Sequence, residues 1–189
     1  MTKPISILGI FVADLTFRTD KMPRLGETVI GNSFKLGPGG KGSNQAVAAR
    51  RAGAEIMFIT KISRDTFGEM AMKLYADEGI NSEFIWEIPN IATGAAGIMV
   101  NEQSGDNSII VVPGAADELV PDDLYKAESG IAECSFFMAS LEVPSAPRID
   151  VLPRHASRDL GGAGLTRDLD AASDARVVGR SVLCVDRSP

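Results

Sequence analysis

Cysteine is scarce in this sequence of 189 residues: it contains Cys134 and Cys184, and they lack the spacing of metal ligands. A disulfide framework and a zinc site are therefore not expected, and a reducing, cytoplasmic setting fits. No apolar run approaches the ~20 residues of a membrane-spanning helix. The net charge of -6 argues against a nucleic-acid or anionic-membrane surface, so neither partner is expected.

Several residue types disappear in the C-terminal segment. Residues 146–189 contain seven Arg and six Asp but no Lys, Glu, Asn, Gln, Met, Phe, Tyr or Trp. A segment without aromatic residues or long apolar runs buries little surface, so we expect it to be largely disordered. It is either a natural tail or the product of a shifted reading frame near Ser145 in a GC-rich gene, and we favour the second interpretation. The only histidine, His155, lies in this segment, and we assign it no catalytic role.

Strand and helix patterns alternate along residues 1–144, which predicts an α/β fold with a mainly parallel sheet. The predicted strands are residues 5–12, 28–36, 56–62, 84–88, 95–100, 107–112 and 135–141. The predicted helices are residues 43–51, capped by Ser43, 66–78, ended by Gly79, and 119–130. Gly105-Asp106 predicts a hairpin. The strands near Thr28 and Gly105 interrupt the alternation and could form a small separate sheet.

A glycine-rich loop at residues 37–44 joins a predicted strand to a predicted helix. Glycine allows positive φ and close approach of the backbone to a ligand, and the helix start offers free N–H donors. A phosphate-binding Walker A loop does not fit, because Lys35 and Gly42 occupy positions that require Gly and Ser or Thr. The dinucleotide fingerprint matches at Gly37, Gly39 and Gly42, but the preceding strand is polar. A glycine-rich turn without a ligand is the remaining alternative.

A longer pattern covers residues 1–144. The loop Gly-Gly-Lys-Gly-Ser-Asn at 39–44, followed by Gln-Ala-Val-Ala-Ala, resembles the first signature of the ribokinase (PfkB-type) family of carbohydrate kinases. Gly-Glu-Thr precedes it at 26–28, as in that family. Further matches follow in order at residues 62–68, 93–94, 114–116 and 141–144.

The resemblance implies a ribokinase-like parallel sheet flanked by helices, with a small β lid over the sugar. It places sugar contacts at Asp14, Gly39, Gly40, Lys41, Gly42, Asn44 and Glu142. Judged without the family, Asp14 could cap a strand end and Glu142 could be a solvated loop carboxylate. The resemblance also implies ATP and Mg²⁺ as cofactors, a small sugar as partner and a possible homodimer through the lid.

Two departures from the family limit what the chain can do. Val12 stands where ribokinases commonly have Asn, and its side chain cannot form a hydrogen bond with a sugar hydroxyl. The resemblance therefore does not single out ribose as the substrate. The catalytic Asp of the family's Gly-Ala-Gly-Asp motif is missing, since residues 161–165 read Gly-Gly-Ala-Gly-Leu. We therefore expect a truncated kinase that is inactive alone, or else a non-catalytic sugar-binding or dimerising fragment. The predicted strand 135–141 would then present an unpaired edge.

Overall fold

The computed structural model describes residues 3–140, 142 and 143 and the backbone of residues 182–186. Two sheets organise this part of the chain, and we call them the body sheet and the lid sheet. The body sheet has the order β5-β4-β1-β8-β9 and the lid sheet has the order β3-β2-β6-β7. The strands are β1 Ile5–Leu8, β2 Val12–Thr19, β3 Ser33–Gly39, β4 Ile56–Ser63, β5 Ile85–Ile88, β6 Thr93–Asn101, β7 Asn107–Gly114, β8 Phe136–Ser140 and β9 Val182–Asp186.

The body sheet is parallel across its first four strands and lies between two layers of helix. One layer consists of α1 Lys41–Arg51 and α2 Thr66–Glu78, and the other of a 3-10 turn at Ala115–Glu118 with α3 Pro121–Lys126 and α4 Glu128–Glu133. Alternate residues of β1 point to opposite faces, so Ile7 packs under the first layer and Leu8 under the second. The predicted α/β fold with a mainly parallel body sheet is confirmed.

The lid sheet confirms that the two interrupting segments pair separately. β6 and β7 form the antiparallel hairpin predicted from Gly105-Asp106, and β3 lies antiparallel to β2. β2 and β6, in the middle, are parallel. The predicted strand at 28–36 is shifted, because β3 runs from Ser33 to Gly39.

One predicted strand is two strands. The apolar run at 5–12 looks continuous, but β1 ends at Leu8 and β2 begins at Val12 in the other sheet. The break lies where the start of α1 crosses the chain: a Cβ on Gly9 would lie 2.6 Å from the Cα of Gly42. Ile10 and Phe11 in the link are buried, so hydrophobicity gives no sign of the break.

The helix predictions were right for one helix and wrong in detail for two. α2 has the predicted bounds, with Asp65 as N-cap and Gly79 in the left-handed region. α1 begins at Lys41 with Gly40 as N-cap, so the predicted Ser43 cap was wrong. Ser43 is buried, and its Oγ accepts a hydrogen bond from the Tyr75 hydroxyl at 2.9 Å. The helix predicted at 119–130 is two short helices, and the first begins at Pro121, whose missing N–H suits a first turn.

The edge of the body sheet differs from expectation. β9 pairs antiparallel with β8, from Phe136 opposite Asp186 to Ser140 opposite Val182. The unpaired edge predicted for strand 135–141 was therefore wrong, and five residues of the C-terminal segment form a strand instead of disorder. The rest of the predicted disordered segment, with His155 and residues 161–165, lies outside the described residues.

Among the residues that the structure describes, no helix is long and apolar enough to cross a membrane.

Candidate functional site

The glycine loop lies where the lid sheet joins the body. β3 ends at Gly39, Gly40 is the N-cap of α1, and Lys41 is the first helical residue. β3 belongs to the antiparallel lid sheet, so the loop does not open a parallel β-α-β unit as a dinucleotide fingerprint does. The fingerprint match at Gly37, Gly39 and Gly42 therefore lacks its structural context.

Three glycines of the loop, Gly39, Gly40 and Gly42, have no room for a side chain. A Cβ on Gly39 would lie 2.3 Å from both carboxylate oxygens of Asp14. Gly40 has φ 92°, and a Cβ there would lie 2.3 Å from the carbonyl oxygen of Ile10. The bare backbone at Gly39 lets the Asp14 carboxylate lie directly against the loop. This close approach explains why the sequence needs consecutive glycines here.

Asp14 is the third residue of β2, so it is not the strand-end cap considered as an alternative. Its side chain is half-buried. Burial raises the pKa of this carboxyl above its ordinary value, and the negative charge of Glu142 raises that pKa further. The two predicted acidic residues are therefore brought together, although 128 positions separate them.

Glu142 follows β8 at the carboxyl edge of the body sheet and reaches the start of α1. Its Oε2 accepts the Lys41 backbone N–H at 2.9 Å, and its Oε1 lies 2.8 Å from the Lys41 Nζ. The Ser140 hydroxyl donates to Oε2 at 3.3 Å. The first turn of α1 has no acidic residue of its own, so Glu142 supplies the negative charge that a helix N-terminus favours. With 19% of its side chain exposed, Glu142 is not a freely solvated loop carboxylate.

The other predicted residues surround this pair. Gly42 packs against Gly9, and Asn44 is exposed one turn into α1, where its backbone N–H donates to the Gly40 carbonyl at 2.8 Å. Val12 lies on the same face of β2 as Asp14 and is 3% exposed. The structure thus brings all seven predicted residues to one region at the carboxyl edge of the body sheet, where ligands of α/β proteins commonly bind.

Chemically, this region offers carboxylate acceptors, an ammonium donor and helix N–H groups at close quarters. Such a set suits a neutral ligand with several hydroxyl groups, because each hydroxyl can donate to a carboxylate and accept from a nitrogen. No group of three or more His, Cys, Asp or Glu that could hold a metal ion occurs within residues 3–140 and 142–143.

The contacts that hold Lys41 were not predicted from the sequence. Lys41 was assigned to the ligand, whereas in the structure both its backbone N–H and its Nζ contact Glu142. The absence of an acidic residue in the first turn of α1 was the available signal. The sequence also gave no warning that Asp65 binds a lid strand, because only the fold brings Thr93 to it.

A sequence model described as pfkB family carbohydrate kinase matches residues 2–149 of the chain. The chain belongs to this family. It is 36% identical to the deoxyribokinase of Salmonella typhi over 139 residues, which are 74% of this chain and 45% of that protein. It is 35% identical to the ribokinase of Bacillus subtilis (strain 168) over 156 residues, 82% of this chain and 53% of that protein.

A solved structure supports the same grouping. The structure of Arabidopsis thaliana ribokinase complexed with ribose and ATP superposes with a TM-score of 0.67 at 26% identity, covering 80% of this chain and 49% of that chain. This likeness confirms the ribokinase-like fold. The chain spans about half the length of the curated relatives it matches.

Proposed function

We propose that Asp14, the loop at 39–44 and Glu142 bind D-ribose or a related sugar, in the lineage of an ATP-dependent kinase that phosphorylates the sugar's primary hydroxyl. The observation that carries this proposal is the Asp14 carboxylate lying against Gly39 beside the Glu142–Lys41 pair. A carboxylate in this setting can accept two hydrogen bonds from neighbouring hydroxyls of a sugar.

The kind of sugar depends partly on Val12. Its side chain is apolar and buried next to Asp14, so it cannot pair with a sugar hydroxyl. A site that leaves one hydroxyl unpaired does not favour ribose over an analogue that lacks that hydroxyl. We therefore propose that the site accepts 2-deoxy-D-ribose about as well as D-ribose, in keeping with the resemblance to both a deoxyribokinase and ribokinases.

Isothermal calorimetry of the 189-residue protein with the two sugars tests the binding site. We expect heat of binding at millimolar sugar, and Asp14→Asn should weaken binding by roughly 10- to 150-fold, since hydrogen bonds to a charged group contribute about 1.5–3 kcal/mol. Asp106→Asn, which changes an exposed carboxylate in the β6–β7 turn, is the matched control and should bind normally. If neither sugar gives heat of binding, the proposal is overturned. Heat of binding with NAD would favour the dinucleotide alternative.

For catalysis, ATP and Mg²⁺ are the cofactors that the family implies. Phosphoryl transfer depends on positioning and charge stabilisation, and the sequence of this chain contains no Gly-Ala-Gly-Asp motif to supply the base and the anion hole. We expect no sugar phosphate from the pure protein with ATP, Mg²⁺ and D-ribose in a coupled assay. Turnover above the background without enzyme would contradict this expectation.

A second candidate is a non-catalytic fragment that dimerises through the lid sheet. Phe17 of β2 pairs with Phe34 of β3, and the two ring centroids are 5.0 Å apart. Ile110 of β7 pairs with Gly97 of β6, and its side chain lies on the same side of the lid sheet. This side faces away from Asp14 and carries several exposed apolar side chains: Phe17, Phe34, Leu36, Ile110 and Val112. A second copy of the chain would cover it with a matching apolar surface.

A further inference from the structure

The lid sheet joins the body through one row of residues. Val12, the first residue of β2, pairs with Gly39 on one side and with Gly94 on the other. Next to Gly94, Thr93 pairs with Gly114, the last residue of β7. All four lid strands therefore begin or end at this row, which we call the foot of the lid. A tilt of the lid sheet against the body has to bend the chain here.

The foot is packed too closely for side chains at Gly94 and Gly114, as it is at Gly39. A Cβ on Gly94 would lie 2.6 Å from the Pro113 carbonyl oxygen. Gly114 has φ 59°, and a Cβ there would lie 2.3 Å from the Ala92 carbonyl oxygen. Small changes at the foot are consequently transmitted to the strands above it instead of being absorbed by loose packing.

Asp65 connects the foot to the body by hydrogen bonds. Its Oδ1 accepts the Gly68 N–H at 2.8 Å and so caps α2, while its Oδ2 accepts the Thr93 N–H at 2.8 Å. Thr93 is 3% exposed, and its Oγ1 accepts the Ser63 N–H, also at 2.8 Å, at the end of β4. One carboxylate therefore joins a body helix to the first residue of a lid strand.

Capping explains only half of this arrangement. A helix cap needs one side-chain oxygen, and the second oxygen of Asp65 is used on an amide 28 residues further along the chain. Burial by itself would raise the pKa of Asp65, but the hydrogen bonds from Gly68 and Thr93 outweigh burial and lower it. The carboxylate is thus stabilised in its charged form at the foot.

The foot also connects to the proposed sugar site. Asp14 lies on β2, two residues beyond Val12 and beside Ala96 of β6. Lys41 and Glu142, by contrast, belong to the body. A tilt of the lid at its foot therefore changes the separation between Asp14 and the Lys41–Glu142 pair.

We propose that Asp65 is a positioning residue, which holds the Thr93 amide, sets the orientation of the lid sheet and thereby tunes the affinity of the site for sugar. This inference rests on the proposed sugar site for its last step only. Asp65 itself contacts α2 and the foot, and its effect on the sugar passes through β6 and β2 to Asp14.

Asp65→Asn separates the two roles of the carboxylate. The amide oxygen of Asn can still accept the Gly68 N–H, since Asn is as good an N-cap as Asp. The amide NH₂ group then faces the Thr93 N–H, and two donors cannot pair. Asp65→Ser is a second variant that keeps a capping oxygen but is too short to reach Thr93 as well.

Hydrogen–deuterium exchange of the sugar-free protein reports on the lid directly. In Asp65→Asn we expect β6 and the foot to exchange at least about tenfold faster, with β1 and β4 of the body changed far less. Arg50→Gln is the matched control, because Arg50 donates to the Glu78 and Gly79 carbonyls at the opposite end of α2. It should lower global stability without accelerating exchange at the foot more than in the body.

Calorimetry with D-ribose then tests the link to the site. We expect Asp65→Asn and Asp65→Ser to weaken binding about tenfold and Arg50→Gln to leave it unchanged. The inference is overturned if exchange at the foot rises only in step with the body, or if sugar binding is unaffected by a loosened foot. If the wild-type protein binds no sugar, the proposed function fails and the exchange data alone decide whether Asp65 orients the lid. Should Asp65→Asn not fold, Asp65→Ser is judged by the same criteria.

Discussion

At the scale of single residues, the two carboxylates of the site have opposite electrostatic surroundings. The Glu142 carboxylate lies 2.8 Å from the Lys41 ammonium, which stabilises its negative charge. The negative charge of Asp14 is instead disfavoured by burial and by the charge of Glu142. An unpaired acceptor held next to a negative charge is costly in the empty protein and favourable once hydroxyl donors arrive. Sites of this kind trade stability for binding.

The raised pKa of Asp14 gives a testable dependence on pH. Because the folded state holds this proton more tightly, the stabilisation is present below the ordinary value of 3.8 and is lost as the pH rises through the folded-state pKa. At pH 7 the charged Asp14 therefore destabilises the fold. We expect Asp14→Asn to melt higher at pH 7 by up to about 2–4 °C, a range that corresponds to ~1 kcal/mol and allows for partial solvent screening.

Thermal denaturation at pH 7 and pH 4, followed by circular dichroism, measures this effect. The advantage of Asp14→Asn over wild type should shrink at pH 4, where more of the wild-type Asp14 is protonated. Asp106→Asn controls for the loss of one negative charge. A variant that melts lower than wild type at pH 7 would contradict the electrostatic assignment.

At the scale of elements, a buried ion pair joins the helical layer that contains α3 to the body sheet. The Nζ of Lys61 on β4 lies 2.6 Å from Asp123 Oδ2 of α3 and donates to the Glu118 carbonyl at 2.8 Å. The side chains of Lys61 and Asp123 are 11% and 4% exposed. Lys126 contacts the other oxygen of Asp123 at 3.1 Å but is largely solvated. Asp123 also accepts the Val120 N–H and so caps α3.

Lys61 and Lys126 allow a matched comparison on one carboxylate. We expect Lys61→Met to lower the free energy of unfolding by about 3 kcal/mol, because it leaves a buried charge without its main partner. Lys126→Met removes a solvated partner and should cost less than about 1 kcal/mol. Urea denaturation at pH 7 measures both values.

The effect of Lys61 should also depend on pH. Burial alone would raise the pKa of Asp123, but the hydrogen bonds from Lys61 and Val120 outweigh burial and lower it. Stability from this group is therefore present above the ordinary value of 3.8 and is lost as the pH falls through the folded-state pKa. Equal costs for the two lysine variants at pH 7 would show that the pair is not buried as described.

At the scale of the whole molecule, the exposed apolar face of the lid sheet bears on whether two copies of the chain associate. Ile110 is 67% exposed near the centre of β7. If two copies pair through this face, a charge at Ile110 should prevent association. We expect wild type to sediment as a dimer at micromolar concentration and Ile110→Lys as a monomer. Val120→Lys, at an exposed apolar position outside the lid, is the control and should remain dimeric. A monomeric wild type would contradict the dimer.

Much of the fold and of the proposed site could be predicted from the sequence. The bounds of α2 followed from the amphipathic pattern at 66–78 and the stop at Gly79, because helical periodicity and a C-terminal glycine are local properties. The hairpin at Gly105 was local in the same sense. The site residues came from a motif, and the structure assembles them in one place. The strand at 5–12 and the cap at Ser43 were wrong because burial between two layers hides where a strand ends and what a hydroxyl contacts.

The sequence alone thus determined the α/β fold, the family and the residue types of the proposed site, since these depend on local strand and helix patterns and on short motifs in a fixed order. Only the tertiary structure decided that Glu142 approaches Asp14 and holds Lys41, and that Asp65 holds Thr93 at the foot of the lid. Those contacts join residues 28 to 128 positions apart, and their geometry depends on how the two sheets meet. The three glycines of the foot, Gly39, Gly94 and Gly114, set that geometry, because backbone fits there and side chains do not.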